Sequence, residues 1–135
     1  MKLVIYTDGA SRGNPGPSSY GYTLSDGSGN LIYEEGKYIG ITTNNVAEYT
    51  AVYEALKYIK GKYDRMKIEL ELFADSKLVV EQLSGRFKVK SEHLKPLIEK
   101  IRLLSQQLGG VVHTHVPRAQ NTKADRLANL ALDSR

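Results

Sequence analysis

Residues 2–8 carry a short apolar run, Leu3-Val4-Ile5-Tyr6, and the stretch 9–19 that follows is dense in Gly, Pro, Ser and Asn. The first predicts a strand and the second a loop. Residues 20–25 and 31–39 read as two further strands joined by an Asp26-Gly27-Ser28-Gly29-Asn30 turn, so the first third of the chain predicts an antiparallel meander. At Asn45 the period changes. Ala47, Ala51, Val52, Ala55, Leu56 and Ile59 form the stripe of an amphipathic helix that stops near Gly61. Alternation returns over residues 67–74 at Ile68, Leu70, Leu72 and Ala74, and a short helix is expected over 78–83 behind Asp75. Leu94, Leu97, Ile98, Ile101, Leu104 and Leu108 mark a second long helix, ended by Gly109-Gly110. A last strand is predicted over 111–116. A final helix over about 122–132 carries Ala124, Leu127, Ala128 and Ala131 on one face.

This order of three strands, helix, strand, helices, strand and helix predicts an α/β fold, with a mixed sheet flanked by helices. At 135 residues, with no internal repeat or linker, residues 1–135 are expected to form a single domain. The absence of cysteine excludes disulfides, zinc thiolate sites and a cysteine nucleophile, and suits a reducing compartment. The apolar start is broken by Asp8 before it reaches the length of a secretory signal, and no later stretch is long enough to span a bilayer. A cytoplasmic protein without membrane contact is therefore expected, and with no obligate protein partner in evidence, a monomer. The net charge of +4 and a pI near 9.2 suit a polyanionic partner. Its distribution is more informative: Arg86, Lys88, Lys90, Lys95, Lys100 and Arg102 face only Glu92 and Glu99, so this segment carries an excess equal to that of the whole chain. Such a run is either a solvated helix face or a nucleic-acid contact.

The acidic residues fall where two strand ends and two helix starts can meet at one edge of a sheet. Each has a structural explanation by itself. Asp8 precedes Gly9 as a turn residue would, Asp75 occupies an N-cap position, and Asp125 in a first helical turn gains from the helix dipole. Asn45-Val46-Ala47-Glu48 has the spacing of a capping box. Yet Glu48 lies in line with Val52, Ala55 and Ile59 and so points to the buried side of its helix, with no basic residue within a turn to neutralise it. Neighbouring aspartates would add like charge. A divalent cation resolves the conflict, and an all-oxygen donor set suits Mg²⁺ or Mn²⁺ over zinc. Paired ions of this kind support metal-assisted phosphodiester hydrolysis. His113 and His115 share a strand face, but two strand histidines are more simply packing or surface groups, as is His93. The nine tyrosines are scattered, which argues for packing and not for a base-stacking row.

Four blocks then carry a resemblance. Thr7-Asp8-Gly9-Ala10 with Gly13-Asn14-Pro15-Gly16 and Tyr20-Gly21 is similar to the opening of type 1 ribonuclease H. Thr43-Asn44-Asn45-Val46-Ala47-Glu48, Ala74-Asp75-Ser76 with Val79-Val80, and Asn121-Thr122-Lys123-Ala124-Asp125-Arg126-Leu127-Ala128 resemble its later acid-bearing blocks, in the family's order over roughly residues 3–132. The resemblance implies a ribonuclease H-like fold, a mixed five-stranded sheet of three antiparallel and two parallel strands. It also implies two Mg²⁺ ions, or Mn²⁺ in their place, held by Asp8, Glu48, Asp75 and Asp125. The substrate it implies is an RNA/DNA hybrid whose RNA strand is cut to 5′-phosphate and 3′-hydroxyl ends. Asn14, Asn44 and Asn45 would lie along the minor groove, where 2′-hydroxyls distinguish RNA from DNA. Thr43 and Ser91 would hold a phosphate of the DNA strand.

Two departures from better-known relatives matter. Between Leu83 and Leu94 the chain lacks their longer, tryptophan-containing basic protrusion, leaving Arg86, Lys88 and Lys90 as a reduced handle. Before Asp125, the run Val116-Pro117-Arg118-Ala119-Gln120-Asn121 is too short for their histidine loop and resembles a shorter branch with arginine at this place. Arg118 is therefore assigned an auxiliary electrostatic role near the scissile phosphate. Two alternatives stay open: a non-catalytic hybrid-binding module, disfavoured by the four repelling acids, and a related metal-dependent DNA nuclease, disfavoured by the asparagines.

Overall fold

A computed structural model describes residues 1–135. Three strands, β1 (Lys2–Ser11), β2 (Gly16–Asp26) and β3 (Leu31–Thr42), form an antiparallel meander. They are followed by helix α1 (Asn44–Lys62), strand β4 (Glu69–Ala74), the short helix α2 (Lys77–Leu83), helix α3 (Lys95–Gln107), strand β5 (Val112–His115) and helix α4 (Thr122–Asp133). The single sheet has the order β3-β2-β1-β4-β5, with β4 parallel to β1 and β5 parallel to β4. This is the mixed five-stranded arrangement expected of the sequence. No helix is long and apolar enough to cross a membrane.

The core follows from the alternation. Leu3 and Ile5 of β1, Tyr20, Tyr22 and Leu24 of β2, and Leu70 and Leu72 of β4 are all buried on one face. Val52, Ala55, Leu56 and Ile59 of α1 close over them, and Ile98 and Ile101 bring α3 against α1. Removing such side chains from water contributes roughly 1.5–3 kcal/mol each, more than any other single kind of contact between the layers. Helix α4 covers the other face over β1, β2 and β3, where Ala128 and Leu132 meet Ala10. Both helices approach the sheet at glycines. A Cβ on Gly21 would lie 2.5 Å from the Ala124 carbonyl oxygen of α4, and one on Gly9 would lie 2.5 Å from the Glu48 amide of α1.

Three local expectations are corrected. The loop expected over 9–19 shrinks to a tight hairpin, because β1 runs on to Ser11 and β2 starts at Gly16, with the Arg12 amide donating to the Pro17 carbonyl at 2.8 Å. The glycines and serines there serve close packing: Ser18 and Ser19 are fully buried, and the Ser19 hydroxyl donates to the Ala128 carbonyl of α4. At α1 there is no capping box from Asn45. Thr43 is the N-cap and its hydroxyl accepts from the Val46 amide at 3.3 Å, leaving Asn44, Asn45 and Glu48 free of that duty. Asp75 is not a cap either, since Ser76 caps α2 by accepting from the Val79 amide at 3.3 Å.

Candidate active site

The parallel register pairs Thr7 with Ala74, so Asp8 and Asp75 are the next residues along two adjacent strands; β4 ends at Ala74, whereas Asp8, expected at a strand end, lies within β1 opposite Gly21 because the hairpin carries that strand on to Ser11. The missing side chain at Gly9 lets the first turn of α1 settle against β1, which delivers Glu48 to the same point. One carboxylate oxygen from each of Asp8, Glu48 and Asp75 lies within 4.8 Å of the other two. Asp125 stands just outside this group. It lines the same cavity, of about 310 Å³, together with Gly9, Arg12, Asn44, Arg118 and Asn129. Helix α4 is held in place there by Asn121, a buried side chain whose amide donates to the Thr7 carbonyl at 2.8 Å.

The electrostatics of this cluster are unfavourable in the absence of a cation. Asp8 is only 7 % exposed, and none of the six ion pairs of the molecule includes Asp8, Glu48 or Asp75. Burial above all, then the Asp75 charge and the contact with Asp125, push the Asp8 carboxyl up to about 8, against a smaller lowering by the Gly9 amide, which donates to it at 2.9 Å. Glu48 is also raised, by burial first; hydrogen bonds from Ser76 and Asn44 pull the other way, and the Asp75 charge adds to the rise. The Asn44 side-chain amide donates to Glu48 Oε1 at 3.1 Å, while the Asn44 backbone amide donates to Asn14 Oδ1 at 3.0 Å. The hairpin tip and the first turn of α1 are thereby joined. Arg118, 80 % exposed, reaches Asp125 Oδ1 with Nη2 at 3.5 Å.

The basic residues gather in a different place. Asn45, Arg86, Lys88, Lys90 and Ser91 line one groove of about 550 Å³, floored by Leu78, Phe87 and Leu94. Arg86 is already engaged there, with Nε 2.6 Å and Nη2 3.4 Å from the two carboxylate oxygens of Glu81. Below the groove, the Tyr49 hydroxyl donates to Gln82 Oε1 and links α1 to α2. Thr43 lies outside the residues that line cavity and groove; its hydroxyl accepts from the Val46 amide as the cap of α1, which leaves the O–H free to donate. His113 is packed under the α2 side of the sheet, where burial, and secondarily Arg86, lower its imidazole to about 4; His115 is exposed.

Sequence reasoning overlooked four residues that structure places at these sites. Arg12 and Asn129 line the acidic cavity, and Asn121 anchors the helix that bears Asp125. The signal for Asn129 was its spacing of four from Asp125, one helical turn. Phe87, 48 % exposed, was visible as the lone aromatic inside the basic run.

Comparison with known proteins follows the same geometry. Residues 6–131 match the profile of the family described as reverse transcriptase-like. A bifunctional protein of Mycobacterium tuberculosis is 46% identical over 99% of this chain, which spans only 36% of that protein's length. The ribonuclease H of Ruthia magnifica is 36% identical, with 98% of this chain and 96% of the relative covered. Among solved structures, a ribonuclease H1 from a compost metagenome, bound to an RNA/DNA hybrid, superposes with a TM-score of 0.94 at 42% identity over 98% of this chain and 97% of that one. With the acids of four separate blocks lining one cavity and these likenesses spanning the sheet and its helices, the chain belongs to the reverse transcriptase-like family and, within it, to the type 1 ribonucleases H.

Proposed function

We propose that residues 1–135 form one ribonuclease H domain that hydrolyses the RNA strand of RNA/DNA hybrids. The observation that carries this reading is the trio Asp8, Glu48 and Asp75, three oxygen donors within 4.8 Å of one another with no basic partner. An all-carboxylate set with one buried member fits hard divalent ions, Mg²⁺ or Mn²⁺, and fits zinc poorly. Asp8, Glu48 and Asp75 would hold them, with Asp125 completing the set for a second ion. Two such ions, when bound, supply an activated water and charge stabilisation at the leaving oxygen.

The protein's own groups account for the rest. The carboxylates fix where the scissile phosphate can lie. The oxygen of water bonds to phosphorus and gives up a proton, the bond from phosphorus to the 3′ oxygen breaks, and that oxygen takes up a proton, leaving 5′-phosphate and 3′-hydroxyl ends. Arg118 is assigned to stabilise negative charge on the phosphate, supported by its place beside Asp125, and being permanently protonated cannot act as a base. Asn14, Asn44 and Asn45 are assigned to the 2′-hydroxyls and base edges of the minor groove. Thr43 and Ser91 are assigned to a phosphate of the DNA strand, with Lys88, Lys90 and, more weakly, Arg86 as the basic handle beside them. The absence of cysteine supports a reducing, cytoplasmic setting, and a monomer suffices because all four acids come from one chain.

The test is cleavage of labelled hybrid, single-stranded RNA, double-stranded RNA and duplex DNA, each with Mg²⁺ and with EDTA. Cutting of the hybrid's RNA strand that stops on chelation is the expected result. Hybrid binding that survives chelation without any cutting would turn the reading to a binding module, and cleavage of duplex DNA would turn it to a DNA nuclease.

A further inference from the structure

Asp125 is the one acid of the four that meets a cation, and its amide and guanidinium neighbours both lie on the same oxygen. Oδ1 accepts from Asn129 Nδ2 at 3.2 Å and faces Arg118 Nη2 at 3.5 Å. No amide or guanidinium group reaches Oδ2. The same Asn129 Nδ2 donates to the Asp125 backbone carbonyl at 2.9 Å, so one amide group grips both the main chain and the side chain of Asp125 across a turn of α4.

The direction of that amide is itself fixed. Asn129 Oδ1 accepts from Arg12 Nη1 at 2.9 Å, and Arg12 Nη2 lies 3.0 Å from Asp133 Oδ1. Guanidinium has only donors and ionised carboxylate only acceptors, so an Asn129 turned end for end would set donor against donor and oxygen against oxygen. The ordered series Asp133, Arg12, Asn129, Asp125 therefore has one consistent orientation. It also reaches from the β1–β2 hairpin tip, which supplies Arg12, to the acidic cavity.

We propose that Asn129 is a positioning residue for Asp125. Backed by Arg12, it commits Oδ1 to the protein and presents Oδ2 as the single oxygen available to a divalent ion. This rests on the metal-nuclease reading of the cavity. It explains how an acid outside the compact trio can be held in place although Arg118, the other group on Oδ1, is largely exposed. Groups that orient a ligand in this way typically change metal affinity or turnover by about 10–100-fold when removed.

The experiment compares the parent with Asn129→Leu, Asn129→Gln and Arg12→Ala. It reads Mn²⁺ binding by calorimetry without substrate, kcat and KM on a hybrid, and the thermal midpoint. For Asn129→Leu the expected result is a loss of about tenfold in affinity for the weaker Mn²⁺ and in kcat, with KM within about twofold and the thermal midpoint retained. Arg12→Ala should move the same two quantities less, and Asn129→Gln should recover part of the loss. Unchanged Mn²⁺ affinity and kcat in Asn129→Leu would overturn the proposal. So would a fall in thermal midpoint with metal affinity intact, because that describes a purely structural contact. A parent that leaves hybrid uncut would sink the nuclease reading, while the calorimetric arm would still decide the role of Asn129.

Discussion

The acidic cavity and the basic groove are neighbours built on opposite principles, and they part at two consecutive residues. Asn44 turns to Glu48 in the cavity, whereas Asn45 lines the groove with Lys88, Lys90 and Phe87. In the cavity the charges of Asp8, Glu48 and Asp75 are like, close and partly buried, and Asp8 has no counter-ion in the protein. In the groove the charges are opposite in sign to a nucleic-acid backbone and open to solvent. The difference teaches where each kind of substitution should act. A buried, uncompensated group gives all-or-none effects on chemistry, and an exposed cation gives graded effects on binding that salt can imitate.

The hardest blow to the cavity is Asp8→Asn. Turnover on a hybrid should fall by at least about a hundredfold, with binding kept in EDTA, because an electrostatic element of the chemistry is lost and the groove is untouched. The same substitution should stabilise the metal-free protein, and the gain should depend on pH with a definite sign. Folded Asp8 keeps its proton up to about 8, while the unfolded chain releases it near 3.8. Between those values the folded state binds more protons, so rising pH costs the parent stability, and the loss is complete above about 8. The thermal midpoint of the parent should therefore drop relative to Asp8→Asn on going from about pH 4 to about pH 9, and saturating Mg²⁺ should close the gap by binding the folded state alone. Parallel curves for the two proteins would mean that the Asp8 carboxylate is not under strain.

Next in size stands Arg118→Ala. Its side chain is exposed like those of the groove, yet it meets Asp125, so it tests whether location or exposure decides the kind of effect. A fall of about tenfold in kcat with KM little changed places it with the cavity. A change confined to KM would place it with the groove.

How much of this was legible in the residues depends on the same contrast. Alternation at Ile68, Leu70, Leu72 and Ala74, and the stripe through Ala47, Val52 and Ile59, reported the layers because burial is a periodic property of one element. Glu48 was legible as a misplaced charge for the same reason. The segment 9–19 misled because Gly and Ser have two uses. Gly9 is needed for the approach of Glu48 and Ser19 for a bond to α4, contacts with partners about 40 and 109 residues away that no local pattern contains. The caps misled through competition among adjacent residues, since Thr43 and Ser76 perform what Asn45 and Asp75 could also do. Asn129 and Arg12 escaped notice because their meaning lies in each other, across 117 positions.

Smaller again is the double substitution Lys88→Ala with Lys90→Ala. KM for the hybrid should rise several-fold at moderate salt while kcat holds. The slope of log affinity against log salt should fall by about one for each phosphate contact removed. An unaltered slope would show that these lysines are only solvated.

Arg86→Ala should have the least effect on the hybrid, although Arg86 sits in the same groove and in the same run of charge. Its guanidinium is spread over both oxygens of Glu81, whose proton affinity falls in its presence, so little of its charge is left to a phosphate. A change in KM within about twofold is expected, as for an exposed ion pair with little net energy. The loss should be heard elsewhere. His113 lies near enough for Arg86 to depress its imidazole, though burial is the larger cause of bringing it to about 4. Removing the guanidinium should raise the His113 titration seen by NMR while leaving it well below the ordinary 6.5, because the packing of β5 under α2 stays. A KM effect as large as that of the lysine pair, with His113 unmoved, would mean that Arg86 leaves Glu81 for the substrate, and that cation and groove act as one.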